Sequence, residues 1–81
     1  MGEVVYLIKM KYYLEIWEVG RNEFKTPFYH FKQKVEDRAA ALSLLEEKRN
    51  EINNIKYIVQ FEKFEIDKEI PIELEVLESN L

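Results

Sequence analysis

Residues 37–53, DRAAALSLLEEKRNEIN, decide how this chain folds, because they are its one stretch with sustained helical periodicity. Ala41, Leu42, Leu44, Leu45 and Ile52 gather on one stripe, while Arg38, Ser43, Glu46, Glu47, Asn50 and Glu51 lie mainly outside it. Lys48 and Arg49 fall within or beside the stripe and must carry their charged ends past it. Glu36 and Asp37 mark the start: Asp accepts from the free amides of a first turn, and both carboxylates suit the positive end of the helix dipole. Asn53-Asn54 offers a left-handed stop in place of glycine.

Outward from this helix the pattern changes to a period of two, the repeat of a strand. Upstream, Val4, Tyr6, Ile8, Met10, Tyr12, Leu14 and Ile16 alternate with Val5, Leu7, Lys9, Lys11, Tyr13, Glu15 and Trp17, with no turn residue between them, which predicts one long strand over 4–19. Gly20-Arg21-Asn22-Glu23 supplies hairpin chemistry, since Gly and Asn tolerate positive φ. A second strand over 24–35 follows, with Pro27 marking an edge or bulge near its beginning. Downstream, Ile55, Tyr57, Val59 and Phe61 alternate with polar neighbours in a strand over 55–66. The apolar parity then switches to Phe64 and Ile66, which predicts a bulge near Glu62-Lys63. After the polar turn Asp67-Lys68-Glu69, Ile70, Ile72, Leu74 and Val76 alternate with Pro71, Glu73, Glu75 and Leu77 in a strand over 70–77 whose outward face reads as acidic. Residues 78–81 read as a fraying tail.

The expectation is a single α+β domain over residues 1–81, ordered ββαββ, with an antiparallel sheet of about four strands and one helix packed on one face. A helix of about 16 residues covers roughly 24 Å, whereas a strand of about 15 extends roughly 50 Å, so the first hairpin is expected to overhang the helix.

Composition narrows the function classes. Eighty-one residues leave room for one small core, and without cysteine neither disulfides nor a thiolate zinc site can staple it. An apolar fraction of 47 % with eleven aromatics argues for a folded chain. No apolar run approaches the roughly 18 residues needed to span a bilayer, and Met1 to Tyr6 lacks the basic start of a signal peptide, so the expected location is cytoplasmic, away from membrane. The net charge of −4 is uneven: residues 1–61 carry ten Lys/Arg against nine Asp/Glu, and residues 62–81 carry two against seven.

Catalysis has little to work with. One histidine, His30, and two serines, Ser43 and Ser79, do not supply a nucleophile, a base and an orienting group. Glu73 and Glu75 would project from one strand face about 7 Å apart, a spacing compatible with paired-carboxylate chemistry, but alternating Glu on an outer strand commonly keeps an edge soluble. A lone His among scattered carboxylates has no metal-ligand spacing, and two glycines, Gly2 and Gly20, make no phosphate cradle. The chain is therefore expected to be no enzyme and to need no cofactor or metal.

Three surfaces carry binding hypotheses. The parity opposite Tyr12, Leu14 and Ile16 bears Leu7, Tyr13 and Trp17, with Ile58 added by the third strand. One helix cannot cover both sheet faces, and uncovered Trp and Tyr are favoured interface anchors. This predicts a protein-binding surface, with a second copy of the chain among its partners. Glu62, Glu65, Asp67, Glu69, Glu73, Glu75 and Glu78 form an acidic row that could present carboxylates where a nucleic-acid-binding protein expects phosphates. Tyr29, His30, Lys32 and Lys34, with Lys9 and Lys11 on the neighbouring strand, interleave aromatics with positive charge as single-stranded nucleic-acid platforms do; the acidic total weighs against it. In composition alone, small, acidic, cysteine-free and aromatic-rich, the chain is similar to many phage-encoded inhibitors of host proteins.

Overall fold

The computed structural model describes residues 9–20 and 28–81. The elements run β1 (Met10–Glu18), β2 (His30–Val35), α1 (Arg38–Ile52), β3 (Tyr57–Glu65) and β4 (Glu73–Ser79). They form the expected α+β, ββαββ architecture, with an antiparallel sheet of strand order β2-β1-β3-β4. The two hairpins join through their first strands, so β1 and β3 are central and β2 and β4 are the edges.

The even-numbered side chains of β1 face α1. Leu14 and Ile16 are fully buried there against Ala41, Leu45 and Ile52 of the helix and against Tyr57 and Val59 of β3. Phe31, Val35, Phe61 and Leu77 close the margins of this layer. Asp37 caps α1, its Oδ1 accepting from the Ala40 amide at 2.8 Å. Lys48 runs its stem along the core edge and sets Nζ 4.5 Å above the Phe31 ring. Leu42, counted on the apolar stripe from sequence, is exposed. At the other end Asn53 has φ −67° and so is not the left-handed residue of the expected Asn53-Asn54 stop, and the chain leaves through a turn in which the Ile55 amide donates to the Ile52 carbonyl. Gly20, the first residue of the expected hairpin turn, has the positive φ that such a turn uses, +90°; Arg21, Asn22 and Glu23 lie outside the described residues.

The strands are shorter than alternation alone suggests. Residues 4–8 of the first expected strand and 24–27 of the second lie outside the described residues, as do Leu7, Asn22 and Pro27. Phe28 and Tyr29 precede β2 rather than belonging to it. The expected bulge at Glu62-Lys63 does not occur: β1 and β3 keep one register from Met10↔Glu65 to Glu18↔Tyr57. Phe64 lies on the sheet face away from α1, opposite Lys11, and is buried there edge-on against Tyr13. The irregularity sits instead between β3 and β4, where Val59 pairs with Glu78 and Gln60 with Val76, leaving Leu77 as the extra residue.

Two expectations about the end of the chain are overturned. Glu78 and Ser79 belong to β4, and Asn80 clamps the strand end by accepting from the Tyr57 amide at 2.7 Å and donating to the Ile55 carbonyl at 2.9 Å, so the expected fraying tail is fastened. The acidic row of β4 also does not face outward. Glu75 and Glu78 turn toward α1, and Leu74 and Val76 are exposed on the other face; the strand begins at Glu73, so Ile70 and Ile72, both exposed, precede it.

Candidate interaction face

The sheet face opposite α1 is assembled by ladder partners. His30 stands beside Trp17, Lys32 beside Glu15 and Lys34 beside Tyr13 across β2 and β1. Trp17 stands beside Ile58, Glu15 beside Gln60 and Tyr13 beside Glu62 across β1 and β3, and Gln60 and Glu62 meet Val76 and Leu74 of β4. Among the described residues no helix or strand packs over this face: α1 contacts the sheet from the other side.

Its β2 half is aromatic and cationic. Trp17 stacks on His30 with ring centres 4.0 Å apart. Lys32 spreads over Tyr13 and Phe64, 5.0 and 5.4 Å from their centres, and Lys11 lies 5.6 Å from that of Phe64. These amphipathic stems bury the two rings while their ammonium ends stay near solvent.

Beneath them lies a carboxyl pair. Glu15 and Glu62 are diagonal neighbours on the β1–β3 ladder, each only 5 % exposed. His30 Nε2 meets Glu15 Oε2 at 2.6 Å, and Lys32 Nζ lies 3.7 Å from Glu62 Oε2, which has no hydrogen-bond partner among the described residues. Burial, reinforced by the hydrogen bond to and charge of Glu15, pushes the Glu62 carboxyl up to about 7. Burial acts on Glu15 in the same direction, but hydrogen bonds with Glu62 and His30 and the charge of Lys32 outweigh it and hold Glu15 below the ordinary carboxylate range. Two adjacent buried carboxyls cannot both ionise cheaply, so the pair keeps one proton into the neutral range.

The β4 half is apolar. Ile72, Leu74 and Val76 are 49 %, 50 % and 54 % exposed, and Trp17 across the face is 41 % exposed. Meanwhile the glutamates of β4 are engaged on the helix side. Arg38 holds Glu75 in a forked contact with Nη2–Oε2 at 2.7 Å, and Arg49 holds Glu78 at 2.6 and 2.8 Å. Tyr57 donates its hydroxyl to Glu78 at 2.5 Å. Hydrogen bonds from Arg49 and Tyr57 pull the Glu78 carboxyl down to about 2, and those from Arg38 lower Glu75.

The sequence-derived candidates divide accordingly. Tyr13, Trp17 and Ile58 share the open face, with Tyr13 half-buried under Lys32 and Trp17 exposed; Leu7 lies outside the described residues. The acidic candidates form no row. Glu62 is buried on the open face, Glu65 ends β3 beside Met10, Asp67 and Glu69 stand in an exposed turn, and Glu73, Glu75 and Glu78 belong to the helix side. Of the nucleic-acid candidates, His30, Lys32 and Lys34 share the open face with Lys11, but Tyr29 packs on the core and points its hydroxyl toward Glu51. Sequence reasoning missed Glu15, Ile72, Leu74 and Val76 as surface-forming residues. A signal for the inverted strand was present: Arg38 and Arg49 stand about three helical turns apart, on one side of the helix, where they demand acidic partners.

Among the described residues no group of three or more His, Asp or Glu is placed to hold a metal ion. No described helix is long and apolar enough to cross a membrane. Comparison with known proteins found no family model, no curated relative and no solved structure that matches the chain. Function must therefore be argued from this face.

Proposed function

We propose that the protein is a non-catalytic protein-binding module that works through the sheet face opposite α1. The observation that carries this reading is the exposed apolar pair of β4, Leu74 and Val76, with exposed Ile72 just before the strand and Trp17 across the face. An apolar centre beside a polar, cationic margin is the arrangement of a protein interface, and Trp is among its preferred anchors. A nucleic-acid strand would use the lysines but not the aliphatic row. It would also need free ring faces, whereas Tyr13 and Phe64 are packed edge-to-face beneath Lys32. Mimicry of nucleic acid draws less support, since the glutamates it needs are spread over two faces and two of them are held by arginines. Masking the surface of a host protein, in the manner of phage-type inhibitors, is the cellular role such a module would serve.

The test is site-specific photocrosslinking in the cell that naturally makes the protein. A photoreactive side chain at Leu74 should give discrete protein adducts, and the same group at Glu47, on the exposed side of α1, should give none. Adducts from Glu47 alone, or from neither position, would reject the reading.

A further inference from the structure

We infer that the β4 margin of this face is completed by a second copy of the chain, joined by antiparallel pairing of β4 with its symmetry mate into one continuous eight-stranded sheet. The inference rests on the open face and its β4 margin being a protein-binding surface, and names the partner at that margin.

Four observations converge on this arrangement. First, β4 is an edge strand, and among the described residues nothing pairs with its outer side, so its backbone offers a ready template for another strand. Natural edges are guarded by outward charge, and the two edges differ in this respect. On the open face β2 carries Lys32 and Lys34, whereas β4 carries Leu74 and Val76. Second, the exposed charges of this face are cations on β1 and β2. Stacking two such faces would bring lysines onto lysines or onto the apolar row. Edge pairing through β4 places the two β2 strands seven strand spacings apart, about 33 Å, well beyond a Debye length of about 8 Å.

Third, the opposite row of β4 does not resist pairing. Glu75 and Glu78 are already neutralised by Arg38 and Arg49 of their own chain, so of the three glutamates of β4 only Glu73, at the start of the strand, meets the partner strand without an arginine against it among the described residues. Fourth, a few half-exposed aliphatic side chains offer on the order of a few hundred Å², short of the roughly 1,000 Å² of a stable interface. A mode that also satisfies backbone groups is therefore required, and strand addition supplies it. A two-fold axis normal to the sheet keeps both open faces on one side, so Leu74 and Val76 of the two copies form one continuous apolar strip.

Sedimentation velocity over a concentration series tests this directly. The expected result is a species of twice the 9.8 kDa chain mass that dissociates on dilution. Leu74→Lys with Val76→Lys should weaken self-association by at least about 100-fold while keeping the wild-type circular dichroism, and Glu47→Lys, on the exposed side of α1, should leave it unchanged. In case the double variant fails to fold, a half-labelled wild-type sample gives an independent reading: isotope-filtered NOEs should connect Leu74 and Val76 methyls across the two copies. A wild-type chain that stays monomeric at millimolar concentration overturns the inference, as does a dimer whose intermolecular NOEs arise from β2 or α1. Monomer together with discrete adducts to another protein from position 74 rejects self-pairing and leaves the protein-binding reading standing; monomer without adducts rejects both.

Discussion

Glu62 and Glu78 are glutamates on neighbouring strands, and their surroundings drive them in opposite directions. At Glu62 burial beside Glu15 raises the carboxyl from an ordinary 4.5 to about 7. Between those values the folded chain holds a proton that the unfolded chain has lost. The stabilisation is complete below about 4.5 and is lost as pH rises through about 7. At Glu78 the direction is reversed: its carboxyl is held down to about 2, so its contribution is present above the ordinary 4.5 and is lost as pH falls below it. Glu15 acts in the same sense as Glu78. Stability should therefore peak in mildly acidic solution, with a decline toward pH 8 on the order of 1–3 kcal/mol from the Glu62 site, read by urea unfolding at a series of pH values. Glu62→Gln should flatten the neutral limb. Unchanged pH dependence in this variant would remove Glu62 as its cause. Glu78→Ala strips Arg49 and the Tyr57 hydroxyl of their shared acceptor and should cost about 1–3 kcal/mol at pH 7; a loss under 0.5 kcal/mol would mean that exposed water replaces it.

At the scale of elements, α1 was legible because several signals agree: an apolar stripe, an acidic start and an Asp whose side chain caps the first turn. Removing that cap in Asp37→Ala should cost about 1 kcal/mol, measurable as a lower urea midpoint with an unchanged slope. The alternation of β1 also set its burial correctly, since Leu14 and Ile16 face the helix. β4 was misread for a physical reason. Alternation says that two faces differ but not which of them meets the helix, and hydrophobicity alone sends Leu74 and Val76 inward. The pair Arg38 and Arg49 outvotes it by fastening Glu75 and Glu78 to the helix side, and the Leu77 bulge is what brings Glu78 to the same side as Glu75. Phe64 shows the same ambiguity. Its change of parity reads as a bulge in the sequence, but the side chain packs edge-on against Tyr13 under Lys32 on the far side of an unbroken strand. Of the candidate site, Tyr13, Trp17 and Ile58 could be read from parity, while Glu15 and the β4 row required the strand order.

For the whole molecule, a domain of this size has a stability of roughly 4–12 kcal/mol. Among the described residues it has one helix and a core of few fully buried side chains, Leu14, Ile16, Ile52 and Val59 being the largest of them. Leu14→Ala should cost about 2–5 kcal/mol, enough to leave much of the chain unfolded at 37 °C by circular dichroism; full retention of structure would mean that the core extends beyond this layer. The same small core explains the lopsided architecture. One helix buries one sheet face, the aromatic and lysine side chains of β1 and β2 cover part of the other, and the apolar row of β4 is left over. That remainder is the ground for assigning binding to this face. Paramagnetic relaxation by a soluble gadolinium chelate, measured on methyl groups in dilute solution below the range of self-association, tests the assignment most directly. The methyls of Ile72, Leu74 and Val76 should relax as strongly as those of exposed Leu81, while Leu14, Ile16 and Val59 stay unaffected. Protection of Leu74 and Val76 in the monomer would place β4 the other way round and contradict the account.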